Sequence, residues 1–154
     1  EERSRIMDND LRVRMLGRRD GIPEGVLAEL DQTIAMSQAN AGMRLNLAIN
    51  YGGRAEIVDA TRAIARSARD GAIDPDAITE ADISDRLYTS GVPDPDLLIR
   101  TAGELRISNF LLWQVSYSEI WVTDQCWPEF DEATLHQAVR DYACRRRRFG
   151  GLHQ

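Results

Sequence analysis

Short apolar runs alternate along this chain with longer stretches of helical periodicity, and no other feature limits the possible folds as tightly. "LRVRMLG" (Leu11–Gly17) alternates apolar and basic residues and predicts a short strand near a sheet edge. Pro23 to Ala41 predicts a helix, with Pro23 in its first turn and Val26, Leu27, Leu30, Ile34 and Met36 on its apolar face. "RLNLAINYGG" (Arg44–Gly53) predicts a buried strand closed by a glycine turn. Arg54 to Arg69 predicts a second helix, with Ile57, Val58, Ala60, Ile64, Ala65 and Ala68 as its inner stripe and Gly71 as its stop. The Pro-rich "DPDAITEADISDRLYTSGVPDPD" predicts short helices, with Thr79 capping Asp82 to Leu87. "DLLIR" (Asp96–Arg100) predicts a third strand, "SNFLLWQ" one or two helical turns beginning near Ser108 or Asn109, and "EIWVTD" (Glu119–Asp124) a fourth strand. Asp131 caps a last helix, along which Leu135, Ala138, Val139, Tyr142 and Ala143 repeat at helical spacing.

Strands that alternate with helices imply an α/β fold, a largely parallel sheet flanked by helices on both faces. A length of 154 residues suits one domain, or most of one, and no internal repeat, low-complexity tract or linker divides it. No apolar run approaches a membrane span, and the charged start "EERSRIMDND" is not a signal peptide. The expected location is the cytoplasm, with at most peripheral membrane contact. The first residue is not Met, as expected of a trimmed or partial polypeptide.

Charge narrows the chemistry. A net charge of −6 argues against a nucleic-acid partner. All 19 basic residues are arginine, which removes Schiff-base and phosphate-loop lysines from consideration. The two histidines, His136 and His153, are too few for His-rich metal sites, and Cys126 and Cys144 fit no zinc spacing. Carboxylates, guanidiniums, hydroxyls and amides remain, a set suited to Mg²⁺ and phosphate.

In open parallel sheets, ligands gather beyond the carboxyl ends of strands. Two polar turns stand there, "NYGGR" and "RTAGELRISN". In the second, Arg100 ends a strand, Gly103 permits a tight bend, and Arg106 and Ser108 return just before the expected helix start. Two guanidiniums, a hydroxyl and free N–H groups suit a diphosphate. The turn equally suits a structural role in which Arg100 pairs with Glu104 or Asp96. Glu119 reads as a solvated strand-start residue, or as a Mg²⁺ ligand beside a bound diphosphate. "YGGR" reads as a close-packed strand-to-helix connection more than as an anion turn. "RRRR" (Arg145–Arg148) suits a helix C-terminus. Trp113, Trp121 and Trp127 read as core or interface anchors.

Together these residues have a likeness. "PDLLIRTAGELRISNFLLWQVSYSEIWVTDQCWPEF", with "LNLAINYGGRAEIVDA" before it and "RRRRFGG" after it, resembles the signature of the cis-prenyltransferases, the family of undecaprenyl diphosphate synthase and its relatives. Ala102 and Leu105 depart mildly from the family pattern, which has Ser and Gln or His there more often. The resemblance implies that Arg100, Arg106 and Ser108, with the Ile107 backbone, hold the diphosphate of isopentenyl diphosphate. It implies that Glu119 is a Mg²⁺ ligand. It also implies that Arg148-Phe149-Gly150 is a tail whose Gly150 reaches substrate in the partner subunit of a homodimer.

The activity implied is condensation of isopentenyl diphosphate with an allylic diphosphate such as farnesyl diphosphate, giving a Z-polyprenyl diphosphate used as a cell-wall lipid carrier. The family's N-terminal third, which binds the allylic diphosphate and supplies an Asp for Mg²⁺, has no counterpart in these residues. The chain therefore reads as the C-terminal portion (1–154) of one such domain. It is expected to be inactive without the remainder, carried as a longer polypeptide or a second chain, and no catalytic residue is assigned within it. The alternative is a non-catalytic dimerising subunit or diphosphate-binding module of the same fold, although intact Arg100, Arg106, Ser108 and Glu119 argue against a scaffold.

Overall fold

The computed structural model describes residues 2–146 and divides into two compact units, one ending at Gly91 and one beginning at Val92. The predicted Arg148-Phe149-Gly150 tail, Gly150 included, lies outside the described residues.

The first unit opens with a helix not anticipated above, α1 (Glu2–Asp8). Strand β1 (Arg12–Leu16), helix α2 (Glu24–Ser37), strand β2 (Arg44–Ala48), helix α3 (Gly53–Arg69) and the short helix α4 (Glu80–Ser84) follow. β1 and β2 are parallel, with Arg12 opposite Arg44 and Leu16 opposite Ala48. Parallel neighbours need a crossover, and α2 provides it. Among the described residues, β2 is the strand paired with β1. Part of the other side of β1 is closed by a side chain: the Val13 N–H donates to Ser37 Oγ (3.1 Å), which itself donates to the Ile34 carbonyl (3.2 Å). At the carboxyl end of β1, Gly17 has φ +118°, and a Cβ there would lie 2.2 Å from the Ile49 carbonyl oxygen. Only glycine fits so close to the neighbouring strand. Thr79 caps α4 in a reciprocal capping box with Asp82, as its sequence predicts.

The core of this unit is Val13, Leu16, Ala60, Ile64 and Leu87. The helix stripes are narrower than the apolar residues suggest. On α2 the inward line is Leu27, Leu30, Ile34 and Ser37, and Val26 and Met36 are exposed. On α3 it is Gly53, Glu56, Ala60 and Ile64, and Val58 and Ala65 are exposed. These lines follow the three- and four-residue steps of one helix face, and the exposed residues lie off them.

In the second unit, strands β3 (Leu97–Arg100) and β4 (Glu119–Val122) are parallel, with Leu97 opposite Glu119 and Arg100 opposite Val122. Helix α5 (Glu132–Ala143) follows, and Asp131 caps it by accepting the Thr134 N–H (2.8 Å). Ala138 is fully buried, whereas Leu135 and Val139 are exposed. Asp141 occupies the half-buried face instead, because the Trp121 indole N–H on β4 donates to it (2.8 Å). Trp127 is not a core residue: it is exposed and stacks on Phe130.

The fold is thus α/β with parallel strands and helices, as expected. One local prediction fails. "SNFLLWQ" forms successive turns and no helix. Ser108 (φ 52°), Asn109 (φ 62°) and Leu111 (φ 46°) adopt left-handed backbone, which a right-handed helix cannot accommodate. No helix N-terminus therefore stands beside Arg106.

Candidate functional site

The site grows from the carboxyl end of β3. The Arg100 carbonyl accepts the Thr123 N–H (3.0 Å), extending the strand pairing by one step. The chain then reverses through Ala102 (φ 62°) and Gly103 (φ 66°). Their N–H groups donate to the carbonyls of Gln125 and Thr123, each at 2.8 Å, which fastens the turn to the end of β4. A Cβ on Gly103 would lie 2.8 Å from Oδ1 of the exposed Asp124 side chain, which can move aside, so it is the positive φ that favours glycine. Left-handed residues are costly, and here Ala102, Ser108, Asn109 and Leu111 all fall within one ten-residue stretch.

This reversal brings Arg100 and Arg106 together on one carboxylate. Arg100 Nη2 donates to Glu104 Oε2, and Arg106 Nη2 donates to Glu104 Oε1. The two cations hold Glu104 below the usual carboxylate range, chiefly through the Arg100 hydrogen bond, so it is ionised at neutral pH. The Arg100 side chain is about one-third exposed and that of Arg106 about 60% exposed. Arg100 Nε–H is buried and, among the described residues, has no hydrogen-bond partner. Buried donors are rarely left unsatisfied, and this one lies within the arginine cluster. Ile107 and Ser108 continue the same turn, with Ser108 exposed. The site residues Arg100 and Arg106 are therefore brought into one cluster. The Arg100–Glu104 pair that a structural reading requires forms as well.

Glu119 does not join that cluster. It opens β4 opposite Leu97, while Arg100 ends β3. Three strand steps separate the two positions, about 10 Å along the strand. The Glu119 carboxylate instead accepts a hydrogen bond from Arg145 Nη1 (2.8 Å), which also donates to the Ile120 carbonyl (2.9 Å). Arg145 is the first residue of the basic run, and its position explains at least one of those arginines structurally.

A family model described as "Putative undecaprenyl diphosphate synthase" matches residues 1–150. The chain belongs to this family. It is 48% identical over 153 residues to an isoprenyl transferase of Rhodopirellula baltica, covering 99% of this chain and 63% of that protein. It is 50% identical over 151 residues to an isoprenyl transferase of Heliobacterium mobile, covering 98% of this chain and 58% of that protein. Among solved structures, lavandulyl diphosphate synthase of Lavandula x intermedia, in complex with dimethylallyl diphosphate, superposes with a TM-score of 0.93 at 40% identity, covering 96% of this chain and 64% of that one. A probable undecaprenyl diphosphate synthase of Campylobacter jejuni gives 0.82 at 26% identity, covering 96% of this chain and 67% of that one. The chain thus spans about three-fifths of the length of the curated isoprenyl transferases it matches.

The cluster at Arg100 presents guanidinium groups of the kind that suit a phosphate-bearing anion. The same residues can be tested against Mg²⁺. That ion takes one or two carboxylates with substrate phosphate oxygens and water. Glu119 supplies one carboxylate, already paired with Arg145. Among the described residues, no group of three His, Cys, Asp or Glu side chains is placed to hold a metal. The described residues do not by themselves make a Mg²⁺ site. Also among the described residues, no helix is long and apolar enough to cross a membrane.

One polar cluster escaped the sequence reading. Glu56 is 1% exposed, accepts the Tyr88 N–H on Oε1 (2.8 Å) and accepts the Tyr51 hydroxyl on Oε2 (2.5 Å). Nearby on α3, Asp59 takes both Nε (2.8 Å) and Nη2 (2.9 Å) of Arg18 and the hydroxyl of Tyr88. The available signal was a carboxylate four residues before Ala60, on the inner stripe of α3. At "NYGGR", Gly53 is buried and Asn50 donates to the carbonyls of Arg18 and Asp20, which makes that turn a structural joint.

Proposed function

We propose that this chain is the C-terminal portion, residues 1–154, of a cis-prenyl chain-elongating transferase. It would condense isopentenyl diphosphate with an allylic diphosphate, such as farnesyl diphosphate, to give a Z-polyprenyl diphosphate for use as a lipid carrier. The observation that carries the reading is the convergence of Arg100 and Arg106 on one anionic group at the end of β3, with the Arg100 Nε–H, unsatisfied among the described residues, beside it. Guanidinium forks match phosphate oxygens in geometry and charge. In this reading the two arginines, Ser108 and the Ile107 backbone hold the diphosphate of isopentenyl diphosphate. In the reaction, the allylic C1–O bond breaks and pyrophosphate leaves. C4 of the isopentenyl double bond forms the new bond to that C1, and a proton departs from C2. The arginines fix one diphosphate, so its double bond is held for attack and need not arrive by chance encounter.

Glu119 is proposed as a Mg²⁺ ligand only in company with donors outside the described residues, and Arg145 must then release it. Bound Mg²⁺ would neutralise phosphate charge. Activity is assigned to the polypeptide that includes the family's N-terminal third, in a homodimer whose tail, Gly150 included, contributes to the partner's substrate site. The expected location is cytoplasmic, with contact limited to the membrane surface. The test is incorporation of radiolabelled isopentenyl diphosphate by the full-length polypeptide, offered several allylic starters, with double-bond geometry read by NMR. Z-configured products support the reading. Absence of incorporation with every starter, or E-configured products, refutes it.

A further inference from the structure

The unexpected member of the arginine cluster is an anion that the protein brings itself. Glu104 occupies the very Nη2 donors of Arg100 and Arg106 that two phosphate oxygens would use. Two guanidiniums repel each other, and a carboxylate between them keeps both convergent. A phosphate group in the same place would meet the carboxylate oxygen to oxygen. Each Nη2 has a second N–H, but the two anions repel and compete for the convergent pair. Glu104 is equipped to leave. It stands in a turn rather than a strand or helix, and its side chain is about one-third exposed.

We infer that Glu104 is a built-in counter-anion. It occupies the Arg100–Arg106 pair while no diphosphate is bound and is exchanged for the diphosphate when one arrives. This rests on the proposal that the pair binds a diphosphate. The exchange has a consequence for selectivity. With Glu104 in place the three side chains sum to a single positive charge, so a singly charged anion gains little by replacing an equal charge already well bonded. A diphosphate brings more charge and more acceptor oxygens than the carboxylate it replaces. Glu104 therefore sets a threshold that weakly charged anions do not pass.

The test is calorimetric titration of the full-length polypeptide with isopentenyl diphosphate in EDTA, comparing wild type, Glu104→Gln and Arg106→Ala. Glu104→Gln keeps the side-chain shape and removes the competing charge. Its affinity is expected to rise about fivefold, the scale of a partly exposed ion pair. Equal affinity overturns the inference, because the carboxylate then does not compete. Weaker binding also overturns it, because the carboxylate then serves alignment. If Glu104→Gln does not fold, Glu104→Ser gives the same comparison. Arg106→Ala is expected to weaken binding in every background. Wild-type affinity in Arg106→Ala would refute the diphosphate reading itself, an outcome distinct from failure of the counter-anion.

Discussion

Two carboxylates in this chain each gather several donors, and they do so in opposite ways. Glu56 is buried, and both of its oxygens are taken by Tyr51 and by the backbone of Tyr88. Glu104 lies at a partly exposed turn, held by two arginines of which Arg106 is largely exposed. The first arrangement is closed: no ligand can approach, and its bonds tie the N-terminal turn of α3 to a residue 32 positions away. The second is open. A buried, saturated carboxylate organises a fold, whereas an accessible carboxylate between two arginines marks a place where anions exchange.

Breaking the closed cluster should have the largest effect. Glu56→Ala removes a buried carboxylate that accepts from the half-buried Tyr88 N–H and Tyr51 hydroxyl, which is expected to cost about 3 kcal/mol of folding stability. Urea denaturation measures this, and a loss below about 1 kcal/mol would show that Glu56 is not a structural pivot. The open cluster should respond in binding instead of stability. Arg106→Ala removes charge-assisted bonds from an exposed side chain, so isopentenyl diphosphate affinity is expected to fall about tenfold to a hundredfold. Its urea midpoint should stay at the wild-type value. A matching loss of stability would erase the distinction between the two clusters.

The strands were legible because apolar runs bounded by glycine and proline are local signals. Arg12–Leu16, Arg44–Ala48, Leu97–Arg100 and Glu119–Val122 all fall inside the predicted segments. The helix at "SNFLLWQ" was misread because its apolar residues suit helical spacing while the left-handed backbone of Ser108, Asn109 and Leu111 leaves no mark on that pattern. Arg100 and Arg106 were legible as a pair from the turn between them. Glu104 was visible only as a possible partner of Arg100, because a bridge to both arginines depends on the reversal at Ala102 and Gly103. Glu56 was illegible for a different reason. Glutamate in a helix is ordinarily solvated, and only the fold brings Tyr88 to it.

That reversal offers a finer probe of the open cluster. Gly103→Ala places a methyl group 2.8 Å from Asp124 Oδ1 in a left-handed conformation. A stability loss of about 1 to 2 kcal/mol is expected from the backbone alone. Because the turn aims Glu104 and Arg106, isopentenyl diphosphate affinity should fall too. Unchanged affinity alongside the stability loss would show that the clamp does not depend on the turn's geometry.

The smallest effect belongs to acid. Asp59 is held down to about 2, first by hydrogen bonds from Arg18, then by the Tyr88 hydroxyl. A carboxyl group whose folded value lies below its unfolded value of 3.8 stabilises the fold above that unfolded value. The contribution is lost as pH falls from about 4 to about 2, when Asp59 takes a proton in the native state. Its side chain is 30% exposed, so after allowance for solvent screening about 1 kcal/mol is expected to disappear over that window. Other carboxylates held low, Asp82, Glu104 and Asp131, steepen the same acid limb, and a wild-type curve alone does not isolate Asp59. The difference between wild type and Asp59→Asn does isolate it. That variant should be less stable at pH 7 and should lose less on acidification, so the two curves converge near pH 2. Parallel curves would mean that the Arg18–Asp59–Tyr88 cluster holds its geometry without the ionised carboxylate.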